Sequence, residues 1–496
     1  MRYCYKMKVR VFFLLMLIVE IKTQMDDDRN FFLNFTTTFS PRDTFTSTDG
    51  ETPPTESRTP PHIIFIMVDD LGWNDVGYHG SEIRTPHMDN LAENGVKLEN
   101  YYTAPVCGPT RAQFLSGKYS IHMGTHRGNT IACEPTGLPT QFPTIADKLK
   151  EQGYNTHLIG KWHAGFHTED HLPTSRGFDT FRGFLLGHGD HYTHTRQYQG
   201  KKYLDFYDNT TPYNQSWGHY STEVFTERAK EIIEESENTS KPMFMFLSYQ
   251  APHNPLQVPS EYLDGYEHIQ PESRRKYAAM VTAIDEGVGQ VVESLKRSGM
   301  YDNSVIIFST DNGGDVGSAG SNFPLRGNKG SLYQGGIRAI GFVSSPIILA
   351  AKRSRAVMDL IHVTDWMPTL LHIAGGSLNS NDLIDGVNQW NTISNAERSE
   401  RKEILHNIKD RPRFRRGRGR RSRIANRRGS SFDTWNVRVV SSLTYGPWKI
   451  LTGGQARDIV YPNPANHPFL FIVFNGIYLY TELFCNVYRA VRNGNK

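Results

Sequence analysis

Short, nearly unbroken apolar runs alternate along the first two thirds of the chain with stretches of helical periodicity. The runs are His62–Val68, Asn155–Ile159, Met243–Leu247, Val305–Ser309 and Ala339–Val343. Each is strand-length and has no polar face, which fits strands buried on both sides. Between them the periodicity predicts helices over Pro86–Asn94, Thr144–Gln152, Thr222–Glu235, Arg274–Arg297 and Thr364–Ile373. That alternation predicts an α/β domain: a mixed, mostly parallel sheet covered by helices. Polar residues follow the runs at once: Asp69-Asp70 after the first, Lys161 and His163 after the second, His253 after the third, Asp311-Asn312 after the fourth. Ligands of open α/β sheets bind at the carboxyl ends of the strands, so these residues are expected to form one convergent site.

Composition limits what else the chain can be. Its 496 residues exceed a single core, so a large domain (61–375) and a smaller α+β C-terminal region (376–496) are expected. Residues 25–60, with a triple Asp, many Thr and Ser, and Pro53-Pro54, read as a disordered spacer. A second biased stretch, 411–428, carries ten arginines, more than the whole net charge of +4, so the rest of the chain is acidic. It reads as a solvated loop, with a proprotein-processing pattern at Arg418-Gly419-Arg420-Arg421. No nucleic-acid-binding motif accompanies it, and none is expected to bind.

Met1–Gln24 has a basic start and the apolar run Val11–Val19, the grammar of a signal peptide. That run is short for a membrane span, so cleavage is expected rather than anchoring, with no stable span elsewhere. Sequons at Asn34, Asn209, Asn214 and Asn238 agree with entry into the secretory pathway and a lysosomal or extracellular destination. Four cysteines are too few for a disulfide scaffold. Cys4 leaves with the signal, and Cys133 and Cys485 could pair in an oxidising compartment.

Two side-by-side oxygen-donor pairs, Asp69-Asp70 and Asp311-Asn312, would repel unless a cation sat between them, and an all-oxygen set favours calcium or magnesium over zinc. The alternative is that each Asp caps a turn. Cys107-Gly108-Pro109-Thr110-Arg111 stands just ahead of a helix-forming run, where helix amides favour an anion.

Cys107-x-Pro109-x-Arg111 with Leu115-Ser116-Gly117-Lys118-Tyr119 behind it resembles the signature of the sulfatase family. Gly153–His163 (GYNTHLIGKWH) resembles the second signature of that family. The segments around Val68–Asp75, Pro252–Pro259, Asp311–Gly314 and Pro324–Lys329 are similar to its arylsulfatase B group, which includes arylsulfatases I and J. The resemblance implies an alkaline-phosphatase-like fold and a sulfuric ester hydrolase. It further implies that Cys107 is oxidised to formylglycine by the formylglycine-generating enzyme, and that one Ca2+ is held by Asp69, Asp70, Asp311, Asn312 and the modified Cys107. Arg111 and Lys161 would then hold the aldehyde hydrate, while His163, His253 and Lys329 complete the pocket. In that scheme one hydroxyl of the hydrate attacks sulfur, His253 or Lys329 protonates the departing alcohol, and His163 takes the proton from the second hydroxyl. The implied substrates are 4-sulfated N-acetylgalactosamine in glycosaminoglycans, other sulfated glycans, or aryl sulfates. The alternative is a catalytically impaired, glycan-binding homologue.

The chain departs from the family pattern at several places. Gly108 and Thr110 stand where relatives carry a small polar residue and Ser, and Tyr333-Gln334 where they carry Trp-Glu. Two cysteines near Gly137 and His171 are missing together. The usual ending is replaced by the apolar stretch 469–488, which reads as a divergent last strand or a foreign end.

Overall fold

The computed structural model describes residues 59–379, 382–410 and 439–452, together with the backbone of 473–474 and 477–480. The signal peptide, nearly all of the spacer, the Arg-rich stretch, Asn34 and Cys485 lie outside the described residues.

The large sheet contains β1 (His62–Val68), β2 (Val96–Leu98), β3 (Asn155–Lys161), β4 (Thr180–Phe184), β5 (Tyr207–Asp208), β6 (Thr211–Pro212), β7 (Met243–Tyr249), β8 (Ser304–Thr310), β9 (Gly341–Ser344) and β10 (Arg355–Val357). Their spatial order is β10-β2-β9-β8-β1-β7-β3-β4-β5-β6. The central run β8-β1-β7-β3-β4 is parallel, and β9 and β5 turn the flanks antiparallel. The sheet is therefore mixed and mostly parallel, as the alternation of runs predicts.

The unbroken apolar runs have a direct physical cause. Ile64, Ile66 and Val68 of β1 face one core with α1 (Pro86–Glu93), α4 (Ser221–Ser236) and α5 (Glu272–Arg297). Ile63, Phe65 and Met67 face the other, with α2 (Cys107–Ser116), α3 (Ile145–Glu151) and α6 (Trp366–Ile373). Side chains alternate across a strand, so two covered faces favour apolar residues at nearly every position of β1. Thr144 starts α3 with a reciprocal capping box to Asp147.

Several boundaries differ from the sequence expectation. β3 runs two residues further, so Lys161 ends the strand instead of following it. The last run forms β9 only from Gly341 and is antiparallel. Cys107 is the first residue of α2, not the residue ahead of it.

A separate antiparallel sheet near the C-terminus contains β11 (Glu403–Asp410), β12 (Val439–Tyr445), β13 (Trp448–Thr452), β14 (Val473–Phe474) and β15 (Ile477–Tyr480), in the order β11-β12-β13-β15-β14. Part of the apolar stretch 469–488 thus forms strands, with β15 pairing to β13. Ile404 and Leu451 of this sheet pack with Tyr102, Tyr333 and Ile337. Among the described residues no helix is long and apolar enough to cross a membrane.

Candidate active site

The carboxyl ends of β1, β3, β7 and β8 bring their polar residues to one buried place. Asp69, Asp70, Lys161, Asp311 and Asn312 are each at most 1% exposed, and Arg111 and Cys107 on α2 are equally buried. α2 makes this possible because all ten of its residues are buried, so its N-terminal turn enters the protein and not the solvent.

Arg111 organises the floor. Its Nε and Nη2 donate to Asp311 Oδ2 at 3.1 and 3.0 Å, and its Nη1 donates to the Lys161 carbonyl at 2.9 Å and to Ser248 Oγ at 2.5 Å. Ser248 Oγ in turn donates to the Lys161 carbonyl at 2.8 Å. The Lys161 ammonium donates to Asp69 Oδ2 at 2.5 Å and lies 4.0 Å from Asp311. Across the pocket, Lys329 Nζ donates to the Asp70 carboxylate at 2.7 Å, and Asn312 Nδ2 donates to Asp70 Oδ1 at 2.7 Å.

These contacts set the protonation pattern. Burial and the neighbouring Asp69 charge raise the Asp311 carboxyl, against Arg111 and Lys161. For Asp70 burial also acts upward, but Lys329 and His253 outweigh it and hold the group below the usual carboxylate range. Burial raises the Cys107 thiol, opposed by Lys161 and Lys329.

His163 and His253 are held as neutral rings. Burial, with the charges of Lys161 and Arg111, pushes His163 well below its ordinary value. Its Nε2 donates to the Thr130 carbonyl at 3.0 Å, which leaves Nδ1 as a buried lone pair without a partner. Burial lowers His253 to about 4 despite Asp70. Its Nδ1 bonds the Asn254 carbonyl at 2.8 Å, so Nε2 of the neutral ring is a lone pair, 3.6 Å from Asp70 Oδ2.

The donor set fits a hard cation. Asp69 Oδ1 and Asn312 Oδ1 are buried oxygens with no hydrogen-bond partner, an unfavourable state that a bound cation relieves. Ligand atoms of Asp69, Cys107 and Asp311 lie within 4.8 Å of one another, as do those of Asp69, Asp70 and His253.

Sequence reasoning missed a second set of residues. His188 stacks on His253 with ring centroids 4.6 Å apart. A Cβ on Gly187 would fall 2.8 Å from Cε1 of the His163 ring. Gln250 exchanges hydrogen bonds with both the amide and the carbonyl of Gly189, and His191 Nε2 donates to the His253 carbonyl at 3.1 Å. The segment 187–191 therefore braces both site histidines. A glycine and a histidine in a polar loop carry no periodic signal that would have revealed it.

The departures from the family pattern have structural counterparts. Thr110 Oγ1 bonds the amide and carbonyl of Ala104, tying the turn before α2. A side chain at Gly108 would meet Asn129 at 3.1 Å, and Asn129 already accepts the Gly108 amide at 2.9 Å. A Cβ at Gly137 would lie 3.3 Å from the His171 ring, so the two positions where relatives carry cysteines are neighbours. Cys133 is exposed and forms no disulfide among the described residues.

Residues 61–377 match the family model described as Sulfatase. The chain is 45% identical over 416 residues to arylsulfatase J of Mus musculus, covering 83% of this chain and 67% of that protein. It is 29% identical over 353 residues to the N-acetylgalactosamine-6-sulfatase of Homo sapiens, covering 67% of this chain and 66% of that one. Among solved structures, Ps i-CgsB in complex with a neocarrahexaose superposes with a TM-score of 0.69 at 30% identity, covering 79% of this chain and 84% of that one. The sulfatase PsFucS1 from Pseudoalteromonas sp. gives 0.62 at 24% identity, covering 85% and 82%, which shows the fold.

Proposed function

This chain belongs to the sulfatase family of sulfuric ester hydrolases, and on that premise we propose that Cys107 is carried as formylglycine beside one calcium ion bound by Asp69, Asp70, Asp311, Asn312 and residue 107. The observation that carries the reading is the pair of partnerless buried oxygens, Asp69 Oδ1 and Asn312 Oδ1, in the same buried site as a cysteine at the first turn of a helix. Held by these residues, the ion and the modified residue 107 would supply an acidic oxygen nucleophile for attack on sulfur.

The side chains do the rest. Arg111, locked by Asp311, Ser248 and the Lys161 carbonyl, keeps residue 107 and the calcium ligands in one register. Lys161 and Lys329 place positive charge where a sulfate ester would sit, which favours a transition state of growing negative charge. His163 Nδ1, a lone pair in a neutral ring, is placed to accept a proton. The Lys329 ammonium delivers one to the departing alcohol, and His253 does so only when its ring is protonated at Nε2.

The substrate reading is a sulfated glycan. One relative is an N-acetylgalactosamine-6-sulfatase and one similar structure was solved with a neocarrahexaose, and 4-sulfated N-acetylgalactosamine of glycosaminoglycans is the first candidate to assay. The reading includes passage through the secretory pathway, where the formylglycine-generating enzyme acts, to a lysosomal or extracellular site.

The test is chemical. In protein from a secretory host that contains the modifying enzyme, the peptide bearing Gly108-Pro109-Thr110-Arg111 carries an aldehyde at residue 107 and reacts with a carbonyl reagent, and activity follows the modified fraction. Cys107→Ser abolishes turnover. An unmodified Cys107 in protein that hydrolyses sulfate esters overturns the mechanism; an unmodified Cys107 in inactive, folded protein favours a glycan-binding homologue instead.

A further inference from the structure

A two-stranded hairpin, Thr195–Tyr198 paired with Lys201–Leu204, stands apart from the large sheet. Its root is built into the site wall. The Asp190 amide donates to the Thr195 carbonyl at 2.9 Å, closing the segment that braces the two histidines. The Asp205 carboxylate accepts the amides of Leu185 and Leu186, both at 3.0 Å, just past the end of β4.

The register sorts the hairpin into two faces. Arg196 pairs with Tyr203 and Tyr198 with Lys201, while Thr195 pairs with Leu204 and Gln197 with Lys202. Directly opposed residues share a face and neighbours along a strand do not, so Arg196, Tyr198, Lys201 and Tyr203 form one face and Lys202 belongs to the other.

That first face is the one joined to the site. Arg196 Nη1 donates to the carbonyl of His188, the residue stacked on His253, at 3.2 Å. The Tyr198 phenol lies close enough to Cys133 and Glu134 for both to raise it. Cys133 belongs to the same loop as Thr130, whose carbonyl holds His163, and Asn129, which holds the Gly108 amide. The face thus spans the two segments that wall the pocket, while Lys201 and Tyr203 remain exposed, Tyr203 at 51%.

We propose that this face, Arg196, Tyr198, Lys201 and Tyr203, is a binding subsite for the anionic sugar residues that adjoin the sulfated residue under attack. The inference rests on the sulfatase reading above and extends it from the reacting group to the glycan chain. Two cations interleaved with two aromatic rings match an anionic saccharide: the tyrosines offer flat apolar surface to sugar faces, and Lys201 meets a carboxylate or a second sulfate. A small aryl sulfate carries no neighbouring sugar for this face to bind.

The two faces supply the control. Lys201→Glu and Tyr203→Ala are assayed beside Lys202→Glu, which makes the same charge change on the opposite face, using 4-methylumbelliferyl sulfate and a panel of chondroitin, dermatan and heparan sulfate hexasaccharides. On the best hexasaccharide, Lys201→Glu and Tyr203→Ala each lower kcat/KM about tenfold, mainly through KM, while the aryl sulfate and Lys202→Glu stay within about twofold of wild type. Equal losses for Lys201→Glu and Lys202→Glu, losses shared by both substrates, or no loss on the hexasaccharide overturn the subsite. A wild-type enzyme that cleaves the aryl sulfate but no hexasaccharide also overturns it, leaving the sulfatase reading intact. Wild-type protein with formylglycine at 107 that cleaves neither substrate overturns the sulfatase reading itself.

Discussion

Residues of opposite character meet at the site, and each can be altered with a distinct consequence. Asp69 offers a buried oxygen without a partner, whereas Gly187 offers only the absence of a side chain beneath His163. Asp69→Ala removes a charged ligand and is expected to lower bound calcium and turnover together, by metal analysis and an aryl sulfate assay. Gly187→Ala would place a methyl group against the His163 ring, so turnover falls tenfold or more while calcium content stays at the wild-type level. Stoichiometric zinc in place of calcium in the wild type would remove the basis of the first expectation. Asp69, Lys161 and His253 were readable because carboxylates, a lysine and a histidine after apolar runs are anomalous. Gly187, His188 and Ser248 were not, because their roles exist only through what the fold sets against them.

At the scale of elements, the strand runs were legible because both faces of the large sheet are covered. The small sheet follows a different rule. Along β13, Trp448 and Ile450 are exposed while Lys449 and Leu451 are buried. The Lys449 ammonium has no hydrogen-bond partner, and burial, with the charge of Arg338, lowers it to about 7. The folded state therefore binds fewer protons than the unfolded chain between about pH 7 and the ordinary lysine value. Stability rises with pH across that window, and below it the full penalty of a buried charge is present. Lys449→Met is expected to raise Tm by roughly 2–4 °C at pH 7, with the gain shrinking as pH approaches 10. A lower Tm at pH 7 would mean that the ammonium is stabilising where it lies.

For the whole molecule, the buried Arg401–Asp365 ion pair ties the segment leading into β11 to the N-terminus of α6. Asp365 also accepts from the amides of His362 and Val387. The Arg-rich stretch departs from the far end of β11 and returns into β12, where Asp410 and Val439 are paired. A cut between paired strand ends leaves the ladder intact, so deleting 411–428 is expected to keep aryl sulfate turnover within about twofold of wild type. A large loss of turnover in folded protein would place that stretch in the catalytic machinery.

Apolar periodicity and the anomalous polar residues after each run determined the α/β class, the strand edge that carries chemistry, and the residues that converge there. Those signals survive in one dimension because burial on both sheet faces disfavours charged residues except where function requires them. The direction of β9, the entry of Cys107 into the first turn of α2, the brace at 187–191 and the sidedness of the hairpin 195–204 came only from tertiary structure. Each depends on which segments pack together across long sequence separations, and a contact between two loops leaves no period in either of them.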